Sequence, residues 1–232
     1  MTDYHGRTVV VTGGTGALGR AVVEGLLARG AACVVPYIAP AEAAQFPLKD
    51  RVTLVGPVDL VSESDVARVY DGVGALWASI HLAGGFAMTA VGDTKKADIL
   101  KMLEMNLVTC HLCCAAAVRA LRRSGQGGRI VNVAARPALE PRLAAGMAAY
   151  GASKAAVAAL TQALAEEVAG DGILVNAIAP SIIDTPANRA AMPKAKHDAW
   201  PKVDEIAATI AFLASPLNRV TRGAIVPVYG KS

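Results

Sequence analysis

Aromatic residues are scarce in this chain, 4% of 232, and it has only four cysteines. With so few rings, a core must be built from Ala, Val, Leu and Ile, which suits strands buried on both faces against helices. The cysteines lack the spacing of a secreted disulfide framework. The N-terminus, MTDYHGRTVV, has no charged segment followed by an apolar one and a cleavage site. No unbroken apolar run approaches the ~18 residues of a membrane span. A cytoplasmic chain without a membrane partner is expected. One-signed charge is also missing: 23 basic residues against 19 acidic leave +4, dispersed and not interleaved with aromatics, which excludes a nucleic-acid surface. Without repeats, low-complexity tracts or linkers, residues 1–232 read as one domain.

Cys110, Cys113 and Cys114 crowd together beside His111. No second ligand pair follows downstream, and the stretch reads as an apolar helix with buried thiols, so no metal is expected.

What is present is a regular alternation. Residues 7–12 form a β-branched run, the glycines Gly13, Gly14, Gly16 and Gly19 follow, and a helix is predicted over Arg20–Arg29. Strands are predicted over 32–35, 52–55, 75–82, 129–133, 173–178 and 224–228, with helices over 62–71, 97–123, 150–168 and 203–214. This order implies right-handed crossovers and a doubly wound parallel sheet of about seven strands with helices on both faces, an α/β fold of Rossmann type. The Pro- and charge-rich stretch 181–201 interrupts the pattern, and 186–200 is a candidate substrate lid. Helices 97–123 and 150–168, apolar on more than one face, are expected to make a homodimer or homotetramer interface.

Gly14-Thr15-Gly16-Ala17-Leu18-Gly19 fits G-x-G-x-x-G between a strand and a helix, with Gly13 just before it. Glycines let the backbone approach a pyrophosphate, and the helix N-terminus supplies free N–H groups. The ribose 2′ position should be read at the end of the second strand, near Tyr37, where neither an acid nor a base stands; NAD or NADP is left open. Asp59 reads equally as an acceptor for the adenine amino group or as a helix N-cap. Tyr150 and Lys154, four apart on a helix, share a face, and an ammonium beside a phenol favours its ionised form.

With these motifs in view the chain resembles the short-chain dehydrogenase/reductases over nearly its whole length. The likeness rests on Thr12–Gly19, Asp59-Leu60, Ala83-Gly84-Gly85, Asn106, Tyr150-Gly151-Ala152-Ser153-Lys154, and Asn176-Ala177-Ile178-Ala179-Pro180 through Thr185. It implies an NAD(P)-dependent oxidoreductase acting on a small-molecule substrate. Tyr150, Lys154 and Asn106 would be its catalytic residues, with Lys154 also holding the nicotinamide ribose and Asn106 anchoring a water linked to Lys154. Pro180, Ile183 and Thr185 would lie on the nicotinamide side, and Asp59, Leu60, Ala83, Gly84 and Gly85 along the cofactor. Ala135 stands where the family usually carries a catalytic Ser. In that respect, and in Gly-Gly-Thr-Gly-Ala-Leu-Gly and Leu-Ala-Gly-Gly-Phe, the chain is similar to the dihydropteridine reductases. Either Ser181 replaces the hydroxyl or the substrate needs less activation. The missing Ser also leaves a second expectation, a dinucleotide-binding protein with a regulatory or structural purpose. The substrate pocket would come from 86–95, 136–146 and 186–200.

Overall fold

The computed structural model describes residues 3–232. Along the chain run β1 (Thr8–Thr12), α1 (Ala17–Ala28), β2 (Ala32–Pro36), α2 (Pro40–Gln45), β3 (Thr53–Val55), α3 (Glu63–Asp71) and β4 (Leu76–His81). Next come α4 (Lys96–Leu103), a π turn (Glu104–Val108), α5 (Thr109–Ser124), β5 (Gly128–Val133), α6 (Arg136–Leu139) and α7 (Ala148–Glu167). The chain ends with β6 (Ile173–Pro180), α8 (Pro186–Ala191), α9 (Val203–Leu213) and β7 (Ile225–Val228). The strands form one parallel sheet of seven, ordered β3-β2-β1-β4-β5-β6-β7. The order reverses between β1 and β4, which opens a crevice at their carboxyl ends.

Strand alternation sorts the core into two layers. Val10, Val34, Ile130 and Val175 pack under α3, α5 and α7, whereas Val9, Val11, Ile80, Val131 and Ile178 pack under α1 and α9. With both faces covered, the strands need no polar side, and they read as unbroken β-branched runs. Each fully buried Val, Leu or Ile contributes about 1.5–3 kcal/mol.

Three short helices, α2, α6 and α8, were not predicted, and α1 begins before Arg20. The predicted helix 97–123 is interrupted by the π turn at Glu104–Val108, a local widening that periodicity does not reveal. Within the run Lys96–Ser124, an 18-residue stretch reaches a mean hydropathy of 1.3, apolar enough to cross a bilayer by length and composition. In the fold, its Cys113, Ala117 and Leu121 are buried in the sheet's core, as befits a central helix.

Candidate active site

The site begins with the turn after β1. Gly13 takes a left-handed φ of 67°, and a Cβ there would lie 2.7 Å from the Ala83 nitrogen. The turns after β1 and β4 therefore touch, and only glycine permits it. Gly19 lies where α1 crosses that turn, since its Cβ would fall 2.1 Å from the Gly13 carbonyl oxygen. Gly16 caps α1 without a side-chain hydrogen bond. The first-turn amides of Ala17, Leu18 and Gly19 have no intrahelical acceptors and face outward with the positive end of the helix dipole, as a pyrophosphate requires. Beside them, the Thr15 hydroxyl donates to Glu42 Oε2 on α2 at 3.3 Å. Glu42 was missed in the sequence because it lies on an unpredicted helix, although it stands about twenty residues beyond the glycine motif, where a ribose-binding acid is sought.

Tyr37 leaves β2 with its N–H on the Val55 carbonyl and its own carbonyl accepting from Val58, and its ring lies against Gly56. Asp59 is exposed and followed by half-buried Leu60. Asp59 Oδ1 accepts from the Val61 N–H at 3.1 Å, while the cap of α3 is Ser62. The helix-cap reading of Asp59 is thereby replaced by a local turn that leaves its other carboxylate oxygen toward solvent.

Lys154 is 7% exposed, and its Nζ donates to the Val133 carbonyl at 2.9 Å. Gly84 lies directly above: a Cβ there would come within 3.3 Å of that nitrogen and 2.7 Å of Asn106 Oδ1. Asn106 clamps the neighbouring Gly85, accepting from its N–H at 3.0 Å and donating to its carbonyl at 3.1 Å. The other amide hydrogen goes to Ser153 Oγ at 3.0 Å, and Ser153 donates to the Tyr150 carbonyl at 2.8 Å. Both hydrogens of the Asn106 amide are thus bonded to protein acceptors. Ser153, fully buried, is a member of the site that sequence reading passed over as filler between Tyr150 and Lys154.

Tyr150 is half-buried at the opening of α7, with the Phe86 ring edge-on at 4.9 Å. Lys154 Nζ, one helical turn on, is bonded to the Val133 carbonyl. Burial pushes Tyr150 up to about 12. Burial also pushes Lys154 down to about 8. A poorly solvated crevice disfavours both ions, and the amine spends its bond on a carbonyl rather than on the phenol.

Ala135 is buried just beyond β5 and offers no hydroxyl. Ser181 does not substitute for it, because its Oγ donates to the Tyr229 carbonyl at 3.0 Å and lies 2.7 Å from Ser232 Oγ.

Of the residues expected on the nicotinamide side, Pro180 ends β6, Ile183 accepts the Asn188 amide through its carbonyl at 2.8 Å, and Thr185 caps α8. Asp184 anchors this stretch through Arg189 and Lys202, which hold its carboxyl well below the usual range. Arg189 is therefore paired, not merely solvated. The residues flanking the predicted lid 186–200 are joined by the Asp184 N–H, which donates to the Pro201 carbonyl at 3.0 Å, and Trp200 at its end is buried. An open hollow of about 510 Å³ on its outer side is lined by Arg189, Lys196, His197 and Lys231, and by neither Tyr150 nor Lys154.

Beneath the crevice runs a buried polar chain. His81 Nε2 faces Ser79 Oγ at 2.8 Å and Tyr70 OH at 3.3 Å, its Nδ1 bonds Asn132 Oδ1 at 2.8 Å, and Asn132 donates to Thr161 Oγ1 at 2.9 Å. Cys110 and Cys114 adjoin His81, and the ligating atoms of all three lie within 4.8 Å of one another. The cysteines expected to be helix filler thus meet a histidine from upstream, on β4, rather than their neighbour His111.

Known proteins agree with this architecture. The short chain dehydrogenase family profile matches residues 7–196. Galactitol 2-dehydrogenase of Rhizobium johnstonii is 34% identical, covering 96% of this chain and 93% of its own. A short-chain type dehydrogenase/reductase from Mycobacterium ulcerans superposes with a TM-score of 0.87 at 26% identity, covering 98% of this chain and 90% of that one. ElxO with NADP bound shares the fold, with a TM-score of 0.85 at 23% identity over 97% of each chain. The chain belongs to the short-chain dehydrogenase family. It is an oxidoreductase of the dehydrogenase/reductase class.

Proposed function

We propose that the chain transfers a hydride between the nicotinamide cofactor and a small carbonyl, secondary alcohol or pterin-like substrate, with Tyr150 carrying the proton. One observation bears most of this reading: the Lys154 amine is buried at the carboxyl edge of the sheet, under the bare backbone of Gly84 and one helical turn from Tyr150. The first turn of α1, uncapped, and the side-chain-free surface at Gly84 suit a dinucleotide laid across the β1–β4 crevice. When bound, the nicotinamide supplies or accepts the hydride. The residues of the chain orient the reactants and move the proton.

A phenol pushed up to about 12 is neutral at pH 7, so Tyr150 is charged with a proton and suited to donate it to the product of hydride addition. Ala135 withholds the hydroxyl that would polarise a ketone, a contribution of about 2–4 kcal/mol if it resembles loss of one oxyanion donor. A planar substrate already poised to accept a hydride, such as a quinonoid dihydropterin, needs it less. Exposed Phe86 and Met88 give such a ring an apolar wall. This keeps the likeness to dihydropteridine reductases as part of the proposal.

The cofactor is proposed to be NAD(H) in preference to NADP(H). Glu42 puts a carboxylate between the glycine turn and the end of β2, where it would accept from a ribose diol and repel a 2′-phosphate. The outward faces of α5 and α7, with Ala152, Ala159 and Ala163 on the latter, are proposed to pair two or four copies.

A dinucleotide-binding module without catalysis is the second reading, and Ala135 is the observation that favours it. The two readings separate on NADH oxidation with a quinonoid dihydropterin and a panel of ketones, for wild type, Tyr150→Phe and Ala135→Ser. Catalysis predicts turnover that falls about 10²-fold or more in Tyr150→Phe, and a gain on ketones in Ala135→Ser. Identical rates for wild type and Tyr150→Phe on every substrate would establish the module instead.

A further inference from the structure

We propose that His81, Cys110 and Cys114, with the Asn132 amide oxygen as fourth donor, bind one thiophilic divalent cation, zinc foremost, beneath the crevice. The donors come from three elements. His81 closes β4, Asn132 is its registered partner on β5, and the two cysteines lie one turn apart on the inner face of α5. Cys114 Sγ is 3.5 Å from both His81 Nδ1 and Asn132 Oδ1, which are 2.8 Å from each other. Zinc bonds of about 2.0–2.3 Å imply tetrahedral donor separations of roughly 3.3–3.8 Å, so only small side-chain shifts would admit the ion. Two thiolates and a histidine select a soft or borderline cation over magnesium or calcium.

The surroundings are already those of a ligand shell. The far nitrogen of His81 meets Ser79 Oγ and Tyr70 OH, the kind of partner that fixes a metal-bound imidazole, and the Asn132 amide nitrogen is held by Thr161. The charges close as well. On binding, both thiols release their protons to solvent and the imidazole proton moves from Nδ1 to Nε2, where it donates to Ser79 or Tyr70. Two thiolates then neutralise the dication, which a dry interior demands. His81, Cys110 and Cys114 are all buried, so the site would fill as the chain folds.

The test is to express the chain in minimal medium supplied with cobalt in place of zinc, and to purify it folded, without chelators. One cobalt per chain with a thiolate-to-cobalt charge-transfer band is expected. The band should vanish in Cys114→Ser and His81→Ala and persist in Cys113→Ala and Cys33→Ala. Should those first variants fail to fold, zinc-edge X-ray absorption on the wild type must show two sulfur neighbours. Folded protein carrying well under one metal per chain from both zinc and cobalt media overturns the proposal. So does metal that stays in Cys114→Ser, or a zinc shell without sulfur. None of these outcomes touches the oxidoreductase reading, which requires no metal.

Discussion

Asn106 donates its amide to Ser153 across 3.0 Å, tying the π turn between α4 and α5 to the second turn of α7. Because Ser153 in turn bonds the Tyr150 carbonyl and Asn106 grips Gly85, one buried amide links the Gly84–Gly85 turn to the opening of α7. Either single change to Ala strands a buried partner, at about 1–3 kcal/mol. The pair should therefore couple in a double-mutant cycle by roughly 0.5–3 kcal/mol in urea denaturation. Turnover should fall in Asn106→Ala even at temperatures where it remains folded. Additive stability losses would remove the link.

Lys154 provides a pH signature. Its folded-state pKa of about 8 lies below the ordinary lysine value of 10.5, so below pH 8 both states are charged and burial of the ammonium costs stability in full. Between 8 and 10.5 the unfolded chain holds a proton that the native one has lost, and this contribution to stability rises with pH. Lys154→Met should accordingly be more stable than wild type at pH 7 by a few kcal/mol, since each tenfold change in an ionisation constant is worth roughly 1.4 kcal/mol. The gap should narrow as pH rises from 8 towards 10.5, since Tyr150 and the buried thiols are common to both proteins and drop out of the difference. A pH-independent difference in chemical denaturation would show that the lysine is not held near neutrality in the fold.

The sheet was legible because its cause is local: β-branched runs buried on both faces cannot hide among Ala-rich helices. The glycine turn and the Tyr150–Lys154 spacing were legible for the same reason, each being a short-range pattern with one geometric use. What escaped depends on contacts distant in sequence. Glu42 reaches Thr15 only because α2 folds back over the turn, and Ser153 acquires a role only once Asn106 is brought against it. His81 meets Cys110 and Cys114 because β4 lies under α5, a juxtaposition that spacing along the chain cannot express. Spacing alone likewise says nothing of how much water reaches the Tyr150 phenol or of the Val133 carbonyl that the Lys154 amine bonds.

Glu42 carries the prediction about cofactor choice. Its carboxylate sits 3.3 Å from the Thr15 hydroxyl, and a 2′-phosphate brought to that place would meet a like charge. Glu42→Gln removes the repulsion while keeping the shape, and Glu42→Arg adds a partner for the phosphate. Wild type should therefore show a higher kcat/KM with NADH than with NADPH. The ratio should shrink about tenfold in Glu42→Gln, equivalent to roughly 1.4 kcal/mol, and invert in Glu42→Arg, with the change confined to KM for the cofactor. Because α2 is short and Glu42 is exposed, folding should be unaffected, and circular dichroism of the variants checks this. A wild type that prefers NADPH, or a preference indifferent to all three side chains, would mean that the ribose is read elsewhere, with Tyr37 and the backbone at Gly56 the next surface to probe.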